Sequence, residues 1–133
     1  MAGTTLRCEL ITPERRVLDT EATAVVFPAH DGEVGILKHR APLLYNMGVG
    51  ICRISTLEGE RRYYVDGGFA RMLGDTLTLL TQDALLAEDI DADAAEEMLA
   101  QARQRSARDP QAQEDRSNAI ARASAQLKLA RNR

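Results

Sequence analysis

The chain has 133 residues, 44% hydrophobic and 28% charged, with 17 Lys and Arg against 20 Asp and Glu. A chain of this size buries roughly two-thirds of its unfolded surface, enough for one core and an appendage. A net charge of −3 argues against nucleic acid or anionic lipid as the main partner, because phosphate binding needs clustered positive charge, and no apolar run approaches the ~20 residues of a membrane span.

Composition divides the chain. All nine Gly and all five aromatic residues precede Asp83, whereas residues 88–133 carry twelve Ala, a single proline and neither Gly nor aromatics. Turn-broken Thr, Gly and aromatic residues suit strands, and Ala with Glu, Gln, Arg and Leu suits helices. The expected organisation is an antiparallel β-sandwich or flattened barrel over residues 1–87, followed by a two-helix hairpin over 88–133.

In chain order, Leu6, Cys8 and Leu10 alternate with Arg7 and Glu9 and predict a strand. The opening residues lack the charged-then-apolar pattern of a signal or transit peptide. Ala24, Val25, Val26 and Phe27 form a β-rich run that Pro28 is expected to stop. Asp31 and Glu33 flank Gly32 in a turn-like segment. Ile36, Leu37, Leu43 and Leu44 read as core. Residues 49–54 and 62–66 flank Glu58-Gly59, a hairpin turn, and Gly74-Asp75 plays the same part between 69–73 and 76–82. Gly67-Gly68 supplies a sharp turn or bulge. Cys8 and Cys52, distant and without metal-ligand spacing, read as half-buried thiols of a reducing compartment.

The helical part carries start signals. Asp89 or Asp91 caps a first helix with Glu96 and Glu97 early and Arg103 and Arg105 at its end, the charge order that the helix dipole favours. Ala95, Met98, Leu99 and Ala102 form its apolar stripe. Asp109-Pro110 then offers a cap and a first-turn proline to a second helix, whose stripe is Ile120, Ala123 and Leu127. Stripes this thin bury little, so the hairpin must lean on itself, on the sandwich or on another protein. From Gln101 onward, eight basic residues face three acids. Among them Arg103, Arg105, Arg108, Arg122 and Lys128 are candidates for contact with an acidic surface, against the plainer reading of a solvated helical face.

No catalytic or metal constellation emerges. His30 and His39 are the only histidines, and the Gly32–Gly35 and Gly48–Gly50 spacings precede no helix start that could hold phosphate. The residues alone point to a non-enzymatic interaction protein that needs no cofactor.

One set of strings goes further. Thr12-Pro13-Glu14, the run from Val26 through Asp31-Gly32-Glu33-Val34-Gly35-Ile36-Leu37, Ala41-Pro42-Leu43-Leu44 and Val65-Asp66-Gly67-Gly68-Phe69 resemble the epsilon subunit of bacterial F-type ATP synthases. The likeness extends through Leu77-Thr78-Leu79-Leu80 to Glu88-Asp89-Ile90-Asp91. It implies a non-catalytic central-stalk subunit of a proton-translocating ATP synthase, peripheral on the cytoplasmic face of the bacterial inner membrane and reaching the membrane only through the complex. The implied partners are the gamma subunit, the polar loops of the c-ring and, through the helical tail, the alpha/beta catalytic head. The subunit would couple ring rotation to ATP synthesis, and its tail would restrain hydrolysis. Glu33 matches the family glutamate that faces the ring, with His39 and Arg40 expected beside it on one loop; Arg40 stands where the family has histidine. Arg71 replaces the family's usual Glu. The family's ATP-binding motif at the first helix matches Ile90, Asp91, Ala94 and Ala95, with Ala94 in place of the arginine, so nucleotide binding is expected to be weak or lost. The alternative is a free-standing sandwich adaptor that uses the basic hairpin to bind an acidic protein.

Overall fold

The structure, a computed structural model, describes residues 5–37 and 41–132. Among the described residues, ten strands make two five-stranded sheets. One has the order β2(Arg16–Ala22), β1(Leu6–Ile11), β9(Thr76–Leu80), β8(Phe69–Leu73), β5(Leu43–Asn46). The other has the order β10(Ala84–Leu86), β7(Gly59–Asp66), β6(Val49–Thr56), β3(Ala24–Ala29), β4(Gly32–Ile36). We call them the first and second sheets. All pairs are antiparallel except β1 with β9, which run parallel. The sandwich is therefore as expected apart from this pair, which the long excursion through the second sheet makes possible.

Alternation decides what faces inward. In the first sheet Cys8 lies level with Leu77, and Leu10 with Leu18 and Leu79. In the second, Val25 opposes Ile54 and Cys52 opposes Tyr63. These side chains belong to one contiguous core, at whose edge Phe27 meets the exposed Tyr45 edge-on with centroids 5.9 Å apart. Ile36 is buried and Leu43 half-buried against the core, but Leu37 and Leu44 are 60% and 67% exposed. Apolar character did not place those two inside, because Leu37 follows the end of β4 and Leu44 points from β5 to the outer side.

Three local expectations shift. The β3 strand passes through Pro28 to Ala29, because the β6 pairing already ends at Val26 and the Pro28 carbonyl accepts from the Gly48 N–H at 2.9 Å. The β6–β7 turn is Leu57-Glu58, closed by the Thr56–Gly59 pair, with Gly59 (φ 131°) starting the strand. Cys8 and Cys52 are fully buried rather than half-buried. Gly74-Asp75 does form the β8–β9 turn, with Gly74 at φ 62°.

The helices are α1(Ala92–Arg103) and α2(Pro110–Arg131), preceded by a 3₁₀ turn at Ala87–Asp89. Asp91 caps α1 by accepting from the Asp93 and Ala94 N–H groups. Asp109 caps α2 by accepting from Ala112 N–H at 2.8 Å, with Pro110 in the first turn. Ala95, Leu99, Ala123 and Leu127 close the hairpin on itself, with Ile120 at its edge, while Met98 is 42% exposed and lies off that seam. The hairpin also docks on the sandwich. Leu129 and Ala130 pack with Tyr64, Ala87 and Ile90 on the outer face of the second sheet. Alanine's small side chain lets helix and sheet backbones approach closely, so a thin stripe suffices.

Candidate interaction surfaces

Two outer sheet faces remain after the core is closed, and they differ. The outer face of the second sheet presents Tyr64, Ile51, Val49 and Leu85, and the hairpin covers it. Asp66, at the end of β7, accepts from Arg122 of α2 at 3.1 Å. Burial pushes the Tyr64 phenol up to about 12, reinforced by Asp66 and opposed by a hydrogen bond with Gln126.

Among the described residues, nothing covers the outer face of the first sheet in this way. Its β1–β2 half is charged: Arg7 pairs with Asp19 at 2.6 Å, and Arg16 with Asp19 and Glu9 at 3.1 and 3.4 Å. Its β5–β8–β9 half exposes Leu44, Phe69, Leu73 and Leu80, at 67%, 50%, 59% and 45%, around the exposed Arg71. Phe69 and Leu80 are register partners, and Leu44 opposes Arg71. At one end an apolar cleft of about 380 Å³ opens between Ile11, Pro13, Gly68, Phe69 and Leu80. Sequence reading missed this surface, because alternation marks two faces of a strand without saying which neighbour covers each. The signal available was the excess of apolar residues on β8 and β9, where both faces carry apolar side chains.

The turn that leads into Phe69 is sterically fixed. Gly67 and Gly68 have φ of 68° and 99°, and a Cβ on Gly68 would stand 1.8 Å from the Leu80 carbonyl oxygen. Only glycine fits that approach.

Glu33 lies on β4, an edge strand, rather than in a loop. The φ of 140° at Gly32 lets the strand begin immediately after the turn. Its carboxylate accepts from Arg53 at 3.4 Å, and both side chains are exposed. His39 and Arg40 lie outside the described residues.

The basic tail residues do not act alike. Arg103, Arg105, Arg108 and Lys128 are exposed. The Arg103 carbonyl accepts from the Arg116 guanidinium at 3.1 Å, which ties the end of α1 to α2. Arg122 is held by Asp66. Arg105 and Arg122 both line a cleft of about 270 Å³ between the helices with Met98, Gln101, Ala102 and Ala119. The nucleotide-motif residues stand apart from that cleft. Ile90 packs under Leu129, the Asp91 carboxylate is occupied as the cap, Ala94 is exposed and Ala95 is buried in the helical seam.

Burial pushes the Cys8 thiol up to about 12, with Glu9 and Asp19 adding to it, and raises that of Cys52 as well. Thiols held protonated in a core are poor nucleophiles. Among the described residues no group of three His, Cys, Asp or Glu side chains is placed to hold a metal ion, and no helix is long and apolar enough to cross a membrane.

Comparison with known proteins agrees with this geometry. Residues 5–87 match the family described as ATP synthase, Delta/Epsilon chain, beta-sandwich domain. The ATP synthase epsilon chain of Rhodopirellula baltica is 39% identical over 126 residues, 95% of this chain and 98% of the relative. That of Symbiobacterium thermophilum is 42% identical over 113 residues, covering 84% and 81%. In fold, the chain is similar to one in the Euglena gracilis mitochondrial ATP synthase (OSCP/F1/c-ring), with a TM-score of 0.84 at 21% identity, covering 96% of this chain and 81% of that one. A chain from the Tetrahymena thermophila mitochondrial ATP synthase central stalk and c-ring gives 0.72 at 14% identity, covering 93% and 95%.

Proposed function

The chain belongs to the ATP synthase epsilon-chain family, a non-catalytic subunit of that enzyme, and from this premise we propose that it is a central-stalk rotor element that couples ring rotation to ATP synthesis. The observation that carries the reading is the contrast between the two outer faces. The hairpin covers the β6–β7 part of one, and the other leaves Leu44, Phe69, Leu73 and Leu80 bare. Contiguous exposed apolar side chains mark interaction sites. This face docks the gamma subunit, with the cleft beside Phe69 receiving an apolar anchor and the Arg–Asp pairs of β1 and β2 forming a polar rim.

The charged Glu33 edge, together with the segment holding His39 and Arg40, meets the polar loops of the c-ring through charge-assisted hydrogen bonds. The hairpin serves the alpha/beta head. Its helices of 12 and 22 residues, laid end to end, reach about 50 Å at 1.5 Å per residue, and their exposed arginines suit an acidic surface. In that extended state the tail restrains ATP hydrolysis. The subunit works from the cytoplasmic face of a bacterial inner membrane, held there by the complex alone. ATP does not bind the hairpin, because Ala94 supplies no guanidinium and Asp91 and Asp93 crowd the same turn with negative charge.

Site-directed cross-linking in the assembled enzyme tests the orientation. The native thiols are buried and protonated, so introduced cysteines react selectively. Leu80→Cys is expected to capture gamma, and Glu33→Cys a c-ring loop. Capture of gamma by Glu33→Cys with none by Leu80→Cys would reverse the assignment of faces. Deleting residues 88–133 is expected to raise ATP hydrolysis by the complex.

A further inference from the structure

The docked hairpin is held at one end by apolar contacts and further along by a polar pair, and the polar pair has a particular construction. Asp66 terminates β7, and its backbone is immobilised on several sides. Its N–H donates to the Thr81 hydroxyl at 3.0 Å and to the Asp83 carbonyl at 3.2 Å, and its carbonyl accepts from Gln82. The next residue, Gly67, donates to Gly48 at 3.1 Å, and Gly68 is jammed against Leu80. Thr81 is itself buried. The Asp66 carboxylate is thus presented on a rigid mount, 21% exposed, and the group it meets is the guanidinium of Arg122 at 3.1 Å. One turn further along α2, Gln126 hydrogen-bonds Tyr64, register neighbour of Leu85 and Ile51 on the same covered face.

We propose that Asp66 with Arg122, seconded by Tyr64 with Gln126, is the latch that sets how often the hairpin leaves the sandwich, and that Arg122 is shared between the docked and extended states. A guanidinium bound to Asp66 is unavailable to an acidic partner, so every release of the tail frees one of the charges that would hold it elsewhere. The latch half on the sandwich is fixed and the half on α2 moves, so one ion pair between prepared partners tunes the docking that the Leu129 contact supports. Partly exposed ion pairs of this kind contribute on the order of 1 kcal/mol, a three- to tenfold bias in a two-state equilibrium. That is small enough to be overcome by a partner and large enough to matter. This inference rests on the reading that the released tail restrains hydrolysis, but its first test does not.

In the isolated full chain, distance measurements between labels on cysteines placed at Leu57 and Ser106, both exposed, report docked and released populations. Asp66→Asn and Arg122→Gln are each expected to raise the released-to-docked ratio three- to tenfold. The charge swap Asp66→Arg with Arg122→Asp should return it to within about twofold of the parent, and Tyr64→Phe should shift it less than either single change. If neither single change moves the ratio by twofold, or the swap fails to restore it, the latch is overturned and the Leu129 contact carries docking. In the assembled enzyme the two changes separate. Asp66→Asn releases a tail that still carries Arg122 and should lower ATP hydrolysis, whereas Arg122→Gln weakens both states and should lower it less. Shifted populations in the isolated chain with identical hydrolysis by both assembled variants would uphold the latch and refute the restraint.

Discussion

The sandwich and the hairpin are stabilised on different scales. Inside the sandwich, large side chains such as Phe27, Leu10, Ile54, Met72 and Leu79 are at most 1% exposed and interlock across two five-stranded sheets. The hairpin closes on Ala95, Leu99, Ala123 and Leu127 and touches the sandwich chiefly through Leu129 and Ala130. Burial of one Leu is worth roughly 1.5–3 kcal/mol, so the docking contact is a small fraction of what holds the sheets. Units so unequal open at different free energies. An alanine-rich seam and a small docking contact therefore let the hairpin open at a lower free energy than the sheets.

The sharpest way to break the larger unit is Gly68→Ala. The new methyl would sit 1.8 Å from the Leu80 oxygen at a φ of 99°, where both clash and backbone strain apply. A loss of at least about 3 kcal/mol is expected, read as a drop in the urea midpoint of the whole chain. An unchanged midpoint would mean that the β7–β8 turn is not rigid.

Leu129→Ala strikes the smaller unit. Truncation of a buried leucine costs about 2–4 kcal/mol, here confined to docking. Amide exchange in α2 and at Ile51 and Tyr64 should accelerate, while the midpoint for the inner sheets stays close to that of the parent. Equal losses in both would merge the two units into one.

Alkali distinguishes them through protons. Cys8 and Tyr64 hold their protons to about pH 12 in the folded state, and Cys52 is raised too. A pKa raised by folding stabilises fully below the unfolded value and loses that contribution as pH rises through the folded one. Stability should therefore fall above about pH 9 as the unfolded thiols ionise, and more steeply above about pH 10 as the unfolded tyrosine joins them. The slope is about 1.4 kcal/mol per pH unit for each group. Denaturation midpoints across that range check it: Cys8→Ala should flatten the slope from pH 9, and Tyr64→Phe only from pH 10.

These outcomes bear on what the sequence could disclose. Local chemistry was legible where one residue decides one structure: Asp109 as a cap, Asp91 as one of two candidate caps beside Asp89, Pro110 in a first turn, Gly74-Asp75 as a hairpin turn. Choice of partner was not. Leu127 and Leu129 are two residues apart on α2, and one faces α1 while the other faces the second sheet; a single helical stripe selects only the first. Leu44 and Leu37 look like core until the register of β5 and the end of β4 are known. Glu33 reads as a turn residue because Gly32 and Gly35 interrupt the alternation that would have revealed β4, a strand held by its pairing with β3 rather than by its own pattern. The apolar face of the first sheet belongs to the same class, since its exposure is decided by where the hairpin went.

The gentlest test is Asp109→Ala. The carboxylate accepts from Ala112 N–H at 2.8 Å and satisfies one of the free donors at the start of α2. Removing it costs about 1 kcal/mol, with Pro110 still fixing the first turn's backbone. The cap lies at the opposite end of α2 from Leu129, and Arg116 still bridges to the Arg103 carbonyl, so the loss should fray the first turn alone. Amide protection over residues 111–114 should fall about fivefold, with exchange at Tyr64 and the urea midpoint of the sandwich unmoved, and Asp109→Asn should recover most of the protection. If the change also loosens Tyr64, α2 transmits strain along its whole length and the hairpin docks as a rigid rod. If protection falls only near the cap, the helix melts from its free end while Leu129 and Arg122 keep the rest in place, as a tail anchored at one end requires.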